Sequence, residues 1–142
     1  MSSKNQKKKK TQKNQGLEVN LEATRILRTV RDDEAFYFYE AFGKPTGEKA
    51  KSLFDFLEKI SSVKLESLLF HLQRKDFENW IEKTLGDSKL AKEIGKITPS
   101  RKENLRKEIH STIEKHINKL RDASLTLLVN PDLAVVSSSS TP

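Results

Sequence analysis

Four consecutive aromatic residues, Phe36-Tyr37-Phe38-Tyr39, sit inside the run Ala35–Phe42 and are followed at once by Gly43-Lys44-Pro45-Thr46-Gly47. Side chains on a strand alternate between two faces, and aromatic residues pack well on a pleated surface. Glycine and proline directly after the run supply turn chemistry. The sequence therefore predicts a β-hairpin, with Glu48–Lys51 returning as a second short strand. A helix through Glu34–Phe42 is the rival reading and stays open at this stage. In the strand reading one face is buried. Tyr37 and Tyr39 then stand on the other, either as half-buried structural groups or as stacking groups of the kind sheet-based RNA binders use.

Around this segment the apolar periodicity is helical. Asn20 is placed to cap a short helix over Leu21–Arg31, with Ala23, Ile26, Leu27 and Val30 on one face. Asp32, Asp33 and Glu34 then interrupt it. Ser52, with Asp55 three residues on, reads as a capping box before Leu53, Phe54, Phe56, Leu57 and Ile60. Leu65, Leu68, Leu69 and Leu72 form the inward side of the next helix. Asp76 reads as the cap of a helix that carries Phe77, Trp80, Ile81 and Leu85 and stops at Gly86. Asp87 caps a further helix through Ile97, with Leu90, Ala91 and Ile94 inward.

Thr98-Pro99 opens a long helix that runs to about Asp122. Its stripe of Leu105, Ile109, Ile113, Ile117 and Leu120 either lies on the core or pairs with a copy of itself. A steady four-residue step drifts around a straight helix, which argues against a long coiled coil. Ala123–Val136 is a docking segment or a frayed end, and the residues do not choose between them. The expected fold is mainly α with a minor α+β character: a small helical domain with a short N-terminal β-hairpin and a long C-terminal helix.

The 142 residues include 27 basic and 20 acidic side chains, net +7. Six of the cations, Lys4, Lys7, Lys8, Lys9, Lys10 and Lys13, fall within Met1–Gln15, which holds no acid. Without that stretch the balance is 21 to 20. A polar, basic, low-complexity segment cannot bury enough apolar area to offset its ordering entropy. The expected organisation is a disordered lysine-rich tail over 1–19, one helical domain over 20–122, and a flexible segment over 123–142 that ends in a serine run. Roughly 105–115 residues remain for a modest core. There is no cysteine, which excludes disulfides and thiolate metal sites. No apolar run approaches the length of a membrane span, and none follows the basic N-terminal segment as in a secretory signal. The expected location is the cytoplasm, with nucleoid association as a variant.

Two runs, FYFYEAFGKPTGEKAKSLFDFLEKI and SLLFHLQRKDFENWIEKTLGDSKLAKEI, resemble the prokaryotic, mostly archaeal, DUF5752 family, whose function is unknown. Gly43, Gly47, Ser52, Leu53, Phe56, Phe70, His71, Arg74, Asp76, Phe77, Asn79, Trp80, Ile81, Gly86, Asp87, Leu90 and Ala91 carry the resemblance. Its most specific part is the DFENW block with the upstream histidine. The resemblance covers about residues 35–97 and implies a small α+β or mostly helical module. It implies no activity, and none for the lysine-rich and serine-rich ends.

His71, Arg74, Asp76 and Asn79 cluster at a helix-to-helix junction. In the catalytic reading His71 is a base or ligand held by Asp76. In the structural reading Asp76 accepts a backbone N–H near Asn79 as a helix cap, and His71 is a satisfied, partly buried histidine. The structural reading is preferred, because no nucleophile and no cofactor motif accompanies the histidine. Phe77 and Trp80, at helical spacing, read as core. His110 and His116 are six residues apart, about 240° around a helix, and cannot chelate one ion. Gly43–Gly47 lacks the spacing and the following helix of a phosphate loop. No catalysis, cofactor or metal is expected.

The six N-terminal lysines present compact charge without the fork geometry that reads bases. They suit phosphate neutralisation that is salt-dependent and indifferent to sequence; the alternative is a solubilising tail. Arg101, Lys102, Arg106 and Lys107 either extend this positive footprint or form a solvated face. The expected role is a small binding or adaptor module with non-specific affinity for DNA, RNA or the ribosome. The alternative is a protein–protein module, homodimeric through the 99–122 helix.

Overall fold

A computed structural model of the chain describes residues 21–99 and 102–129, with side chains up to Ala123. The six N-terminal lysines, Asn20, Arg101 and the serine run lie outside the described residues. The chain divides into two units. One is Ile26–Asn118, which holds the hairpin, the aromatic core and both histidine centres; of the other, residues 21–25 and 119–129 are described.

Helix α1 spans 21–26 and stops short of the expected Arg31. The reason is a competing hydrogen bond: the Val30 N–H donates to the Lys51 carbonyl at 2.7 Å, which draws the chain out of the helix. Asp32–Glu34 make a single 3₁₀ turn. The aromatic run is then a strand, as the hairpin reading expected.

Strand β1 (Phe36–Ala41) pairs antiparallel with β2 (Lys44–Ala50), Phe36 opposite Ala50 and Ala41 opposite Lys44. The reversal is only Phe42-Gly43, with Gly43 at φ 69°, where a side chain would be strained. Pro45-Thr46-Gly47, expected in the turn, lies inside β2 instead. Between the pairs Tyr37–Lys49 and Tyr39–Pro45 the register shifts, and three residues of β2 face Phe38. Thr46 fills the gap: its hydroxyl donates to the Phe38 carbonyl at 2.9 Å and accepts the Glu48 N–H at 3.0 Å. A bulge of this kind turns the residues read as a turn into part of the ladder.

Alternation along β1 is as the aromatic pattern required. Phe36 and Phe38 are buried, Tyr37 is exposed and Tyr39 is half-buried. Helix α2 (Leu53–Ser62) starts at the expected cap, with Ser52 Oγ accepting the Asp55 N–H at 3.1 Å and Asp55 reaching back to the Lys51 N–H at 3.2 Å. Helix α3 (Leu65–Arg74) ends in Lys75, which takes a left-handed conformation at φ 64° and begins α4 (Asp76–Trp80). Ile81–Leu85 widen into a π turn that stops at Gly86, φ 83°. Asp87 caps α5 (Ser88–Gly95) through Oδ1, 3.0 Å from the Leu90 N–H. Helix α6 (Lys102–Val129) runs past the expected end at Asp122.

The core centres on packed rings: Phe36, Phe38, Phe56, Phe77 and Trp80 meet at centroid separations from 4.9 to 6.3 Å. Ile60, Leu68, Ile81, Leu85 and Leu90 are fully buried beside them. The α6 stripe is inward too, with Leu105, Ile109 and Ile113 fully buried and Ile117 nearly so. Each such side chain contributes about 1.5–3 kcal/mol of transfer free energy. Arg106 Nη1 donates to the Ile60 carbonyl at 2.7 Å and pins α6 to the end of α2. Among the described residues, no helix is long and apolar enough to cross a membrane.

Candidate functional site

The junction that joins α3 to α4 also holds the edge of the hairpin. The Tyr39 N–H of β1 donates to His71 Nε2 at 2.8 Å. A backbone N–H can only donate, so Nε2 carries the lone pair and the ring proton is on Nδ1. Nδ1 in turn donates to Asp76 Oδ2 at 2.8 Å, and Arg74 Nε donates to the same oxygen at 3.0 Å. Burial holds the His71 pKa below its ordinary value, against the opposing pull of the Asp76 carboxylate. The ring packs among Phe36, Phe70 and Phe77 at 4.8 to 5.4 Å. Both imidazole nitrogens are thus committed, and the lone pair a general base needs is occupied by backbone.

Asp76 is the first residue of α4 and its side chain makes no cap bond; Lys75, in the left-handed region, takes the cap position. The expected cap is displaced because His71 and Arg74 already compete for the carboxylate. Phe77 is fully buried. Trp80 is nearly so, and its indole N–H donates to the Glu34 carbonyl at 2.8 Å, fixing the 3₁₀ turn before β1. The structure therefore gathers His71, Arg74, Asp76, Phe77 and Trp80 at one junction. Asn79, by contrast, is exposed.

Above the buried histidine lies an open groove of about 370 Å³ between the hairpin and the end of α3. Its walls are aromatic. Phe42, at the hairpin tip, is 79% exposed and meets the Phe70 ring edge-on at 5.6 Å. The Arg74 guanidinium stands 4.6 Å from the Phe42 centroid and 5.1 Å from that of Phe70. Tyr37 and Tyr39 complete the strand side; the Tyr37 hydroxyl donates to the Asp32 carbonyl at 2.7 Å. Sequence reasoning singled out the two tyrosines and Arg74, named Phe70 only as part of the family resemblance, and gave Phe42 no role. The available signal was Phe42 itself, a large apolar residue directly before a turn glycine.

A second histidine centre also escaped the sequence reading. His116 Nε2 lies 2.6 Å from Asp87 Oδ2, with both side chains buried. Burial alone pushes the Asp87 carboxyl up. The bonds from His116 and from the Leu90 N–H outweigh it and hold the group below its ordinary value. His116 was legible as inward-facing, since it falls on the face of Ile113 and Ile117. Its partner 29 residues away was not. His110 is half-buried and stands apart beside Arg106 and Glu114. No group of three His, Asp or Glu side chains among the described residues is arranged to hold a metal ion. Of the basic side chains at the start of α6, Lys102 and Lys107 are exposed, whereas Arg106 is tied to Ile60.

Comparison with known proteins gives one result for the family and none beyond it. No curated protein and no solved structure matches the chain significantly. The sequence profile of the family of unknown function DUF5752 matches residues 10–114, a span that takes in the hairpin, the histidine junction and most of the α6 stripe. The chain belongs to the DUF5752 family.

Proposed function

We propose that this protein is a small, non-catalytic binding module whose lysine-rich N-terminal segment gives it non-specific affinity for a polyanion such as DNA, RNA or the ribosome. The observation that carries the reading is the distribution of charge. Six lysines and no acid lie in the first fifteen residues, and the other 127 are nearly balanced. Clustered ammonium groups displace condensed counterions from phosphates without reading sequence. The non-catalytic part of the reading draws on His71, whose two nitrogens are bound by Tyr39 and Asp76. Against the alternative of pairing through α6, the stripe Leu105, Ile109, Ile113 and Ile117 is already buried within its own chain.

The test compares the full chain with a variant lacking residues 1–15, by fluorescence anisotropy on random-sequence DNA and RNA at low salt. The reading expects binding by the full chain that is strongly weakened on deletion. Unchanged affinity after deletion overturns it.

A further inference from the structure

We infer that the groove between the hairpin tip and α3 stacks an unpaired nucleobase, so that the polyanion this protein prefers is single-stranded nucleic acid. This deepens the polyanion reading and rests on it for the bulk of the charge. Phe42 projects almost wholly into solvent at the mouth of a cavity, where a chain gains nothing from it as core. Phe70 meets it in a T-shaped contact and the Arg74 guanidinium lies over its ring, yet Phe42 stays 79% exposed, which leaves ring surface at the groove mouth for a flat partner. Every base offers a π-face, and stacking on an aromatic ring tolerates any sequence.

The charges suit the same occupant. The Asp76 charge is offset by the Arg74 guanidinium and its oxygen also takes the N–H of neutral His71, which weakens its repulsion of a phosphate. Among the described residues Arg74 bonds only through Nε, and its side chain is 43% exposed. With the guanidinium over the two rings, its unbonded Nη groups are available to meet the phosphate of a stacked nucleotide. A duplex hides its base faces, so this groove discriminates strands from duplexes, which the lysines alone cannot do.

The experiment titrates the full chain with three probes of matched charge: a single-stranded oligonucleotide, its duplex, and inorganic polyphosphate. Phe42→Ala is the main variant, because a side chain so exposed contributes little to folding. Phe42→Tyr is the conservative control. The full chain is expected to bind the single strand about tenfold more tightly than the other two probes. Phe42→Ala erases that preference, and Phe42→Tyr keeps it. Deleting residues 1–15 weakens all three probes and leaves the preference in place.

Equal binding of single strand and polyphosphate, or a preference that survives Phe42→Ala, overturns the groove assignment and leaves the lysine reading intact. A preference that depends on Phe42 while the deletion changes nothing supports the groove and overturns the lysine reading. A phosphate-free peptide with an exposed aromatic side chain that competes at equal concentration would show that the groove takes protein instead, and also overturns the assignment.

Discussion

Replacing His71 with alanine removes a ring that is 3% exposed and that three separate elements share. The Tyr39 N–H loses its acceptor, Asp76 loses one of its two donors, and a void opens among Phe36, Phe70 and Phe77. Deleting a large buried ring costs about 3–5 kcal/mol, and the imidazole belongs at the lower end. A stranded backbone donor costs roughly a further 1–3 kcal/mol, less where water from the adjoining groove reaches it. About 4 kcal/mol is therefore at stake, from a total of about 5–15 kcal/mol for a domain of this kind. At roughly 4–8 °C per kcal/mol the Tm falls by about 16–32 °C.

The assay is built in. Trp80 is the single tryptophan, it packs against Phe36 and Phe56, and its emission shifts to the red when the core opens. His71→Gln returns an acceptor toward Tyr39 and should recover about half of the loss. A His71→Ala variant that melts within about 5 °C of the parent would refute the reasoning, since neither the cavity nor the stranded donor would then carry its expected cost.

Three further perturbations test other parts of the structure. His71 is held below its ordinary value of 6.5, so its contribution to stability is complete above that pH and is lost as the pH falls through the folded value; the stability gap between the parent and His71→Gln, measured by denaturant titration, narrows from pH 7.5 to pH 5. Asp87→Ala removes the α5 cap, worth about 1 kcal/mol, and leaves buried His116 without its partner, worth roughly 1–3 kcal/mol more; Asp87→Asn, which keeps an acceptor for the Leu90 N–H, loses distinctly less in the same titration. Lys75→Gly relieves a left-handed residue that costs about 1–2 kcal/mol, partly offset by glycine's greater unfolded entropy, and raises the Tm by a few degrees; a fall in Tm would contradict the assignment of strain there.

The features legible from sequence are those whose cause lies within a few residues. Ser52 and Asp55 cap α2 because donor and acceptor are three positions apart, and Gly86-Asp87 ends one helix and starts the next for the same reason. Phe36 and Phe38 face inward because alternation is a property of the strand itself. The features that differed depend on partners far along the chain. Helix α1 ends early because Lys51 takes the Val30 N–H. Pro45-Thr46-Gly47 joins β2 because Thr46 bonds across to Phe38. Asp76 is drawn from capping by His71, and His116 finds Asp87 on another helix. The groove exists only once the hairpin tip meets Phe70, 28 positions on, and no local pattern encodes that meeting.

The most direct test of the functional account is the salt dependence of binding to random-sequence duplex DNA. Six lysine–phosphate contacts give a slope of about −5 in log affinity against log salt for the full chain. The account predicts that slope, and a nearly flat response once residues 1–15 are removed. A steep slope that persists in the shortened chain would place the phosphate contacts on the folded body and contradict the account.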